Sequence, residues 1–295
     1  MFALEGLAPL DGWVVAAIVA KALGYGAALL AAGGPLFLAA FPKASDGTRG
    51  HVRRITRLSA LAAALLMVLR LDIRAGRISG MGVEGMVDPV MVSIVWESPF
   101  GDSILLRGIG LALVLFSALH AAWALGIAAL GSVLVAWSYA QVGHSLGEPR
   151  LVLAALLTVH LLTAAFWVAA LLPLHWGAAR VPGAVVLQRF GTIATGTVPA
   201  LVIVGGIFAY LMVGSLAGLV GTAYGIALLA KVAIVSLLLG LAAHNKLRLV
   251  PSIARGEPGA AAALRRSVAW EGAAIAAILL LTATLTSITT PPANL

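Results

Sequence analysis

Long stretches without charge are the feature of this sequence that most limits how it can fold. No Asp, Glu, Lys or Arg occurs in the 40 residues from Gly108 to Gly147, or in the 41 residues from Phe190 to Ala230. A membrane-spanning helix needs about 20 apolar residues, so each stretch holds two such helices and a short turn. Hydrophobic residues make up 61% of the chain and charged residues 10%. The sequence therefore predicts an all-α, polytopic integral membrane protein surrounded by the lipid bilayer.

The hydropathy pattern predicts a helical bundle of about eight transmembrane helices in one transmembrane domain, residues 1–295. The predicted spans are 13–40, 54–73, 103–120, 123–141, 151–174, 192–214, 222–244 and 268–289. Twelve of the 19 Lys and Arg residues fall in three loops or loop margins, which are Lys43 to Arg57, Arg180 with Arg189, and Lys246 to Arg266. Basic loops favour the cytoplasmic side, so an even number of spans places both termini in the periplasm. The net charge of +8 is then a topology signal, and we expect no nucleic-acid partner.

The longest outer connection lies within residues 70–107, and it predicts a short lid loop rather than a span because it is rich in Gly and Pro. Met81, Met86 and Met91 recur in it at five-residue intervals. Thioether sulfur favours Cu(I), and imidazole also suits copper. Since the chain has no Cys, these three methionines are candidate copper ligands. The alternative is that they rest on lipid or cap the bundle.

Two of the six histidines are also candidate metal ligands. His144 lies at the outer end of the fourth predicted span, and His160 lies near the bilayer midplane in the fifth. An unpartnered imidazole is costly in hydrocarbon, so we interpret His160 as a ligand or proton relay, with helix packing as the alternative. At about 1.5 Å per residue, His160 lies roughly 15 Å below the outer boundary. The two histidines are therefore expected to act as successive stations rather than as one chelate.

Two lysines inside predicted spans indicate a polar chamber, because ionisable residues in a membrane usually face the bundle interior. Lys21 shares a helix face with Tyr25, four residues later, and Lys231 shares one with Tyr224, seven residues earlier. In the alternative interpretation, each lysine extends outward along the helix surface or pairs with an outer acid such as Asp72.

Other charged residues extend this candidate path or structural polar set. Arg70 and Arg107 lie near the outer ends of their predicted spans, where they make the outer half electropositive. Glu271 lies near the inner end of the last span. We expect it to form an ion pair with a basic residue at the same depth, namely Lys246, Arg248 or Arg265.

Short motifs occur in a distinctive order along the chain. The last third carries Arg189-Phe190-Gly191, Thr222-Ala223-Tyr224-Gly225 followed by Lys231, His244-Asn245-Lys246, Pro251, and Leu264-Arg265-Arg266-Ser267-Val268 leading to Glu271. Earlier come Ser98-Pro99-Phe100-Gly101 and His160-Leu161-Leu162 leading to Phe166-Trp167. This order resembles the copper resistance protein D (CopD) family over about residues 96–271, most specifically over 189–271. The first 95 residues show no motif that we can assign.

The resemblance implies a multi-pass protein of the bacterial inner membrane that handles copper ions, often with a periplasmic copper-binding partner. It implies movement of copper from the periplasm toward the cytoplasm, so we predict a transporter rather than an enzyme. The alternative is a b-type haem-binding or quinone-linked redox protein, in which His160 and a second His would ligate haem b. A third possibility is an assembly partner without a cargo. A Soret band in the purified protein would favour haem over copper.

Overall fold

The computed structural model describes residues 10–143, 147, 149–177 and 183–291, and this part of the chain is helical with no β-sheet. The helices are α1 (Gly12–Ala40), α2 (Asp46–Ser79), α3 (Glu84–Val87), α4 (Pro89–Trp96), α5 (Pro99–Val114), α6 (Ala122–Ser138), α7 (Arg150–Gly177), α8 (Gly183–Val213), α9 (Leu216–Gly221), α10 (Ala223–His244), α11 (Val250–Ala254) and α12 (Ala260–Ile288). A π-helical segment, Asn245–Leu249, joins α10 to α11. The predicted all-α class is confirmed.

Seven helical segments are long and apolar enough to cross a membrane, and they correspond to seven of the predicted spans. They are Gly12–Ala40, Pro99–Ala118, Ala122–Gln141, Arg150–Gly177, Val186–Val213, Ala223–Ala254 and Ala260–Ile288. The protein is therefore a multi-pass membrane protein. The remaining predicted span, 54–73, lies inside α2, where Arg57 and Arg70 leave only a short uncharged middle.

Helix α2 runs antiparallel to α1 along most of its length. Thr56 of α2 lies against Gly34, Leu66 lies against Gly24, and Gly76 lies against Trp13 of α1. Helix α2 therefore covers the same depth as α1, and its role as the eighth crossing stays a prediction. We call the end of the bundle that holds the basic loops the inner end. The periplasmic position of both termini and the single-domain organisation stay predictions.

Small residues in α1 set how closely its neighbours approach. A Cβ atom on Gly33 would lie 1.9 Å from the backbone oxygen of Ala165 in α7, and one on Gly34 would lie 1.8 Å from Thr56 Oγ1. Membrane helices use such small residues to bring backbones together. Toward the inner end, large side chains fill the space between α1, α7, α8 and α12, among them Phe37, Phe41, Phe166, Trp167 and Leu264. Helices α1 and α7 are therefore held at the centre of the bundle.

The outer connection forms two short helices, α3 and α4, instead of an open lid loop. Asp88 Oδ1 accepts a hydrogen bond from the Met91 backbone N–H at 2.9 Å, which begins α4. Pro89 and Pro99 lie in the first turns of α4 and α5, where a missing N–H costs nothing. The sequence signal that indicated a loop therefore marks helix starts.

Candidate functional site

Glu271 lies in the inner half of the bundle, on α12, with 4% of its surface exposed. Asn245 Nδ2 donates a hydrogen bond to Glu271 Oε1 at 2.5 Å. Trp167 Nε1, on α7, donates to Glu271 Oε2 at 3.5 Å, a long hydrogen bond. We call these three residues the Glu271 cluster. It joins α7, α12 and the end of α10 through one buried carboxylate.

The predicted ion pair between Glu271 and Lys246, Arg248 or Arg265 is wrong. Lys246 Nζ instead donates to Thr195 Oγ1 on α8, at 2.6 Å. Adjacent residues in a helix point about 100° apart, so Asn245 and Lys246 cannot both face α12. Within the described residues, the carboxylate of Glu271 has polar neighbours but no cation within ion-pair distance.

The salt bridge that the described residues form lies at the inner surface, away from this carboxylate. Arg255 Nε donates to Glu257 Oε1 at 2.7 Å, and both side chains are exposed. Hydrogen bonds from Ser252 and then Arg255 lower the pKa of Glu257. This pair therefore does not balance any charge inside the bundle.

The Glu271 cluster has unused hydrogen-bonding capacity. Asn245 Oδ1 and Ser267 Oγ are buried and have no hydrogen-bond partner in the described part of the chain. Ser267 precedes Glu271 by four residues on α12, so the two share a helix face. Asn245 begins the π-helical segment, and π-helical turns are frequent at functional sites. The Glu271 cluster and the neighbouring Ser267 therefore present carboxylate, amide and hydroxyl oxygens that can contact a ligand.

His160 projects from α7 toward α8. A Cβ atom on Gly205 would lie 3.3 Å from His160 Cε1 and 3.4 Å from its Nδ1, so this glycine makes room for the ring. The ring also lies within hydrogen-bonding reach of the backbone of Leu201, one turn before Gly205, and near the charge of Lys231 on α10. His160 Nδ1 is buried and has no hydrogen-bond partner within the described residues. The imidazole of His160 therefore lies between α7, α8 and α10, and its Nδ1 makes no well-formed hydrogen bond to the described residues.

His160 and the Glu271 cluster lie on one face of α7. Trp167 follows His160 by seven residues, which is two helical turns and roughly 10.5 Å along the axis. The structure therefore arranges a histidine near the midplane and a carboxylate about two turns closer to the inner end.

Tyr224 and Lys231, on α10, differ in environment. Tyr224 is 4% exposed and packs with Leu153 of α7, Met212 of α8 and Leu285 of α12. Lys231 is half-buried. His144 lies outside the described residues, so its role as an outer station stays a prediction.

Two arginines line a small crevice in the outer half of the bundle. We call it the outer crevice; its lining residues are Gly24, Ala28, Ala63, Met67, Arg70, Arg107 and Tyr139, from α1, α2, α5 and the turn after α6. Arg107 is 3% exposed. Its Nε donates to Ser138 Oγ at 3.0 Å, and its Nη2 donates to Ser103 Oγ at 2.9 Å. The Arg107 guanidinium carbon lies 3.8 Å from the ring centre of Tyr139, so the outer crevice has a buried cationic wall.

Lys21 does not pair with Asp72, and that predicted alternative is wrong. Lys21 Nζ donates to the backbone oxygen of Thr286 at 2.8 Å and to Ser287 Oγ at 3.2 Å. Tyr25 Oη lies 3.4 Å from Thr286 Oγ1. Thr286 is in the last turn of α12, where carbonyl oxygens lack partners inside the helix and a cation is favourable. Lys21 and Tyr25 therefore act together on the outer end of α12.

The three lid methionines occupy different surroundings. Met81 is 48% exposed, Met86 packs against Gly76 of α2, and Met91 packs on the cluster of Leu71, Val95 and Phe100. No group of three or more His, Asp or Glu residues suited to hold a metal ion occurs among the described residues. The copper-ligand roles of these methionines and of His160 stay predictions.

Sequence reasoning missed Asn245 and Trp167 as partners of Glu271. Both residues belong to the motifs quoted above, so their presence was visible in the sequence. Their convergence was not visible, because it depends on how α7, α10 and α12 are rotated against one another.

Two family models match most of the chain between them. One, described as Copper resistance protein D, matches residues 184–285. The other, described as Copper resistance protein D-like, N-terminal domain, matches residues 10–149. The second match corrects the expectation that the first 95 residues carry no family signal. No curated protein and no solved structure matches the chain. Lys231 and Glu271 fall in the first match and the outer crevice in the second, whereas His160 lies between them.

Proposed function

Since the chain belongs to the copper resistance protein D family, we propose that it transports copper ions across the bacterial inner membrane, from the periplasm toward the cytoplasm. The route that we propose passes His160 and then the Glu271 cluster. The main support is the buried Nδ1 of His160, which has no hydrogen-bond partner in the described part of the chain.

The free ring nitrogen suits a transient copper ligand. Imidazole nitrogen binds copper readily, and a buried polar atom that lacks a partner costs about 1–3 kcal/mol. A copper ion at His160 recovers part of that cost. One nitrogen ligand also holds the ion weakly enough to release it, which transport requires.

The Glu271 cluster supplies negative charge on the inner side of His160. Carboxylate and amide oxygens are hard ligands and do not select Cu(I). The proposed role of Glu271 is therefore electrostatic: an uncompensated carboxylate attracts the monovalent cation from His160 and holds it loosely. The unbonded Asn245 Oδ1 adds a second oxygen to that position.

Copper needs help to enter from the outer side, because cations dominate there. Lys231 lies near His160, and Arg70 and Arg107 line the outer crevice. We therefore propose that copper arrives on a periplasmic copper-binding partner or with an anionic ligand. The lid methionines and His144 would receive it.

Uptake of radioactive copper by proteoliposomes, in the presence of a reductant, tests this route. We expect His160→Leu to lower the initial uptake rate about tenfold or more, since the only ligand proposed at the midplane is lost. The control is Val159→Ala, at the adjacent position of α7 with a side chain that is 46% exposed. It should transport like the wild type.

Thermal unfolding of the same variants separates a transport role from a packing role. Leu removes an unpartnered polar atom, so His160→Leu should be at least as stable as the wild type. Wild-type uptake by His160→Leu would exclude the proposed route. A Soret band that is present in the wild type and absent in His160→Leu would support haem b instead of copper.

A further inference from the structure

The outer crevice concentrates positive charge without a balancing carboxylate in the described part of the chain. Arg70 of α2 and Arg107 of α5 both line it. The charge of Lys21 acts on the same region, where it is coupled to that of Arg70. The salt bridge between Arg255 and Glu257 lies at the opposite end of the protein.

The two arginines retain many unused hydrogen-bond donors. A guanidinium group has five N–H donors. Arg107 uses its Nε and Nη2 on Ser138 and Ser103, and its Nη1 forms no hydrogen bond within the described residues. Arg70 lies 5.4 Å from the ring centre of Phe100 and likewise forms no hydrogen bond there. Donor groups of both side chains are therefore available to a ligand.

The acids nearest in sequence do not meet these donors. Asp72 follows Arg70 by two residues, which turns it about 200° around α2. Asp102 is exposed in the first turn of α5. The face of the Tyr139 ring carries a partial negative charge that attracts the Arg107 guanidinium. This partial charge does not balance the full positive charge of the arginine.

The free space beside the guanidinium groups is small, about 10 Å³, although Gly24, Ala28 and Ala63 have small side chains or none, so it admits only a small occupant. A buried cation without a counter-charge is costly in a membrane protein. We propose that the outer crevice binds one small anion, a halide or a carboxylate, between Arg70 and Arg107. A carboxylate group would accept paired N–H bonds from a guanidinium, and a halide would accept single ones.

Equilibrium binding of radioactive chloride and of radioactive formate to the purified full chain tests this site. Gluconate, which is too large for the crevice, keeps the ionic strength constant. We expect saturable binding of one anion per chain, with the two probes competing for one site. The tighter of the two identifies the class, halide or carboxylate.

Two substitutions on α2 test whether the anion binds in the outer crevice. Arg70→Gln should weaken binding by roughly tenfold or more, because it removes a charge-assisted contact. Arg77→Gln is the matched control, since Arg77 lies on the same helix, is exposed and does not line the crevice. It should bind like the wild type.

A second variant keeps every charge and changes only the space. A Cβ atom on Gly24 would lie 3.9 Å from Leu66 Cβ and 4.0 Å from Arg70 Cδ, so Gly24→Ala fits the fold while narrowing the crevice. It should weaken binding of both probes. The proposal is overturned if neither chloride nor formate binds saturably, or if Arg70→Gln and Gly24→Ala both bind like the wild type.

Discussion

Two replacements of Glu271 separate the charge of its carboxylate from the hydrogen bonds that it accepts. Both Glu271→Ala and Glu271→Gln remove the charge, so any difference in stability between them reports hydrogen bonding and packing. Alanine leaves the amide of Asn245 and the indole N–H of Trp167 without their acceptor. These side chains are 7% and 5% exposed, so water cannot easily replace it.

The size of this difference follows from the two distances. A buried donor that loses its partner costs about 1–3 kcal/mol. Asn245 Nδ2 lies 2.5 Å from Glu271 Oε1, whereas Trp167 Nε1 lies 3.5 Å from Oε2, which is at the limit of a hydrogen bond. Most of the loss therefore comes from Asn245. With the cavity that alanine leaves, we expect Glu271→Ala to be less stable than Glu271→Gln by about 2–4 kcal/mol.

Glutamine fits the cluster because Asn245 Oδ1 has no partner. If the side-chain amide of Asn245 rotates by about 180°, its Oδ1 accepts a hydrogen bond from the glutamine NH₂ group, while Trp167 Nε1 donates to the glutamine oxygen. Glu271→Gln also relieves the cost of burying a charge. The free energy of unfolding of Glu271→Gln should therefore lie within about 1 kcal/mol of the wild-type value, yet this variant should lose most copper uptake.

Thermal unfolding in detergent and copper uptake in proteoliposomes measure the two effects on the same preparations. Equal stability of Glu271→Ala and Glu271→Gln would show that the hydrogen bonds contribute little. Wild-type copper uptake by Glu271→Gln would show that transport does not need the negative charge.

Two further variants test how the bundle is held together. Gly33→Ala should destabilise the protein by about 1–3 kcal/mol or more, because its Cβ would lie 1.9 Å from the Ala165 oxygen. In the control Gly26→Ala the nearest contact of the new Cβ is 3.5 Å, so the unfolding temperature of this variant should equal or exceed that of the wild type. Lys21→Met should lower stability by about 1 kcal/mol through the lost bond to Thr286 while copper uptake persists. Loss of uptake at normal stability would place Lys21 on the transport path instead.

The membrane class and most helix positions follow from the sequence, because charge-free length alone decides them. The stretch from Gly108 to Gly147 predicts two spans in a membrane, and the structure places the end of α5 and the whole of α6 there. Helix α2 is harder to recognise, because its charged ends make it look shorter than the helix that packs along α1. The lid helices were missed since Pro89 and Pro99 indicate either a loop or a helix start.

The partners of the charged residues could not be predicted, because the sequence does not give the rotation of one helix against another. Pairing with Asp72 was one alternative for Lys21, yet its Nζ donates to the carbonyl oxygen of Thr286. Glu271 was expected to seek a cation, yet it accepts from Asn245. In both cases a polar group of a neighbouring helix lies closer than any opposite charge within the described residues. The sequence can predict that a charged side chain within a span faces the bundle interior, because exposing it to lipid costs free energy. It cannot predict which group that side chain contacts, because this depends on how the helices pack.

The positions of the charges bear on the direction of the proposed transport. Positive charge gathers in the outer half, at Arg70, Arg107 and Lys21, while the buried carboxylate of Glu271 lies in the inner half. A cation that has passed the outer region is therefore pushed inward by one set of charges and drawn inward by the other. A membrane potential that is negative inside adds about 2.3 kcal/mol per elementary charge for each 100 mV. The same charges oppose entry of a free cation, so an anion in the outer crevice would lower that barrier and leave the inward attraction of Glu271 in place.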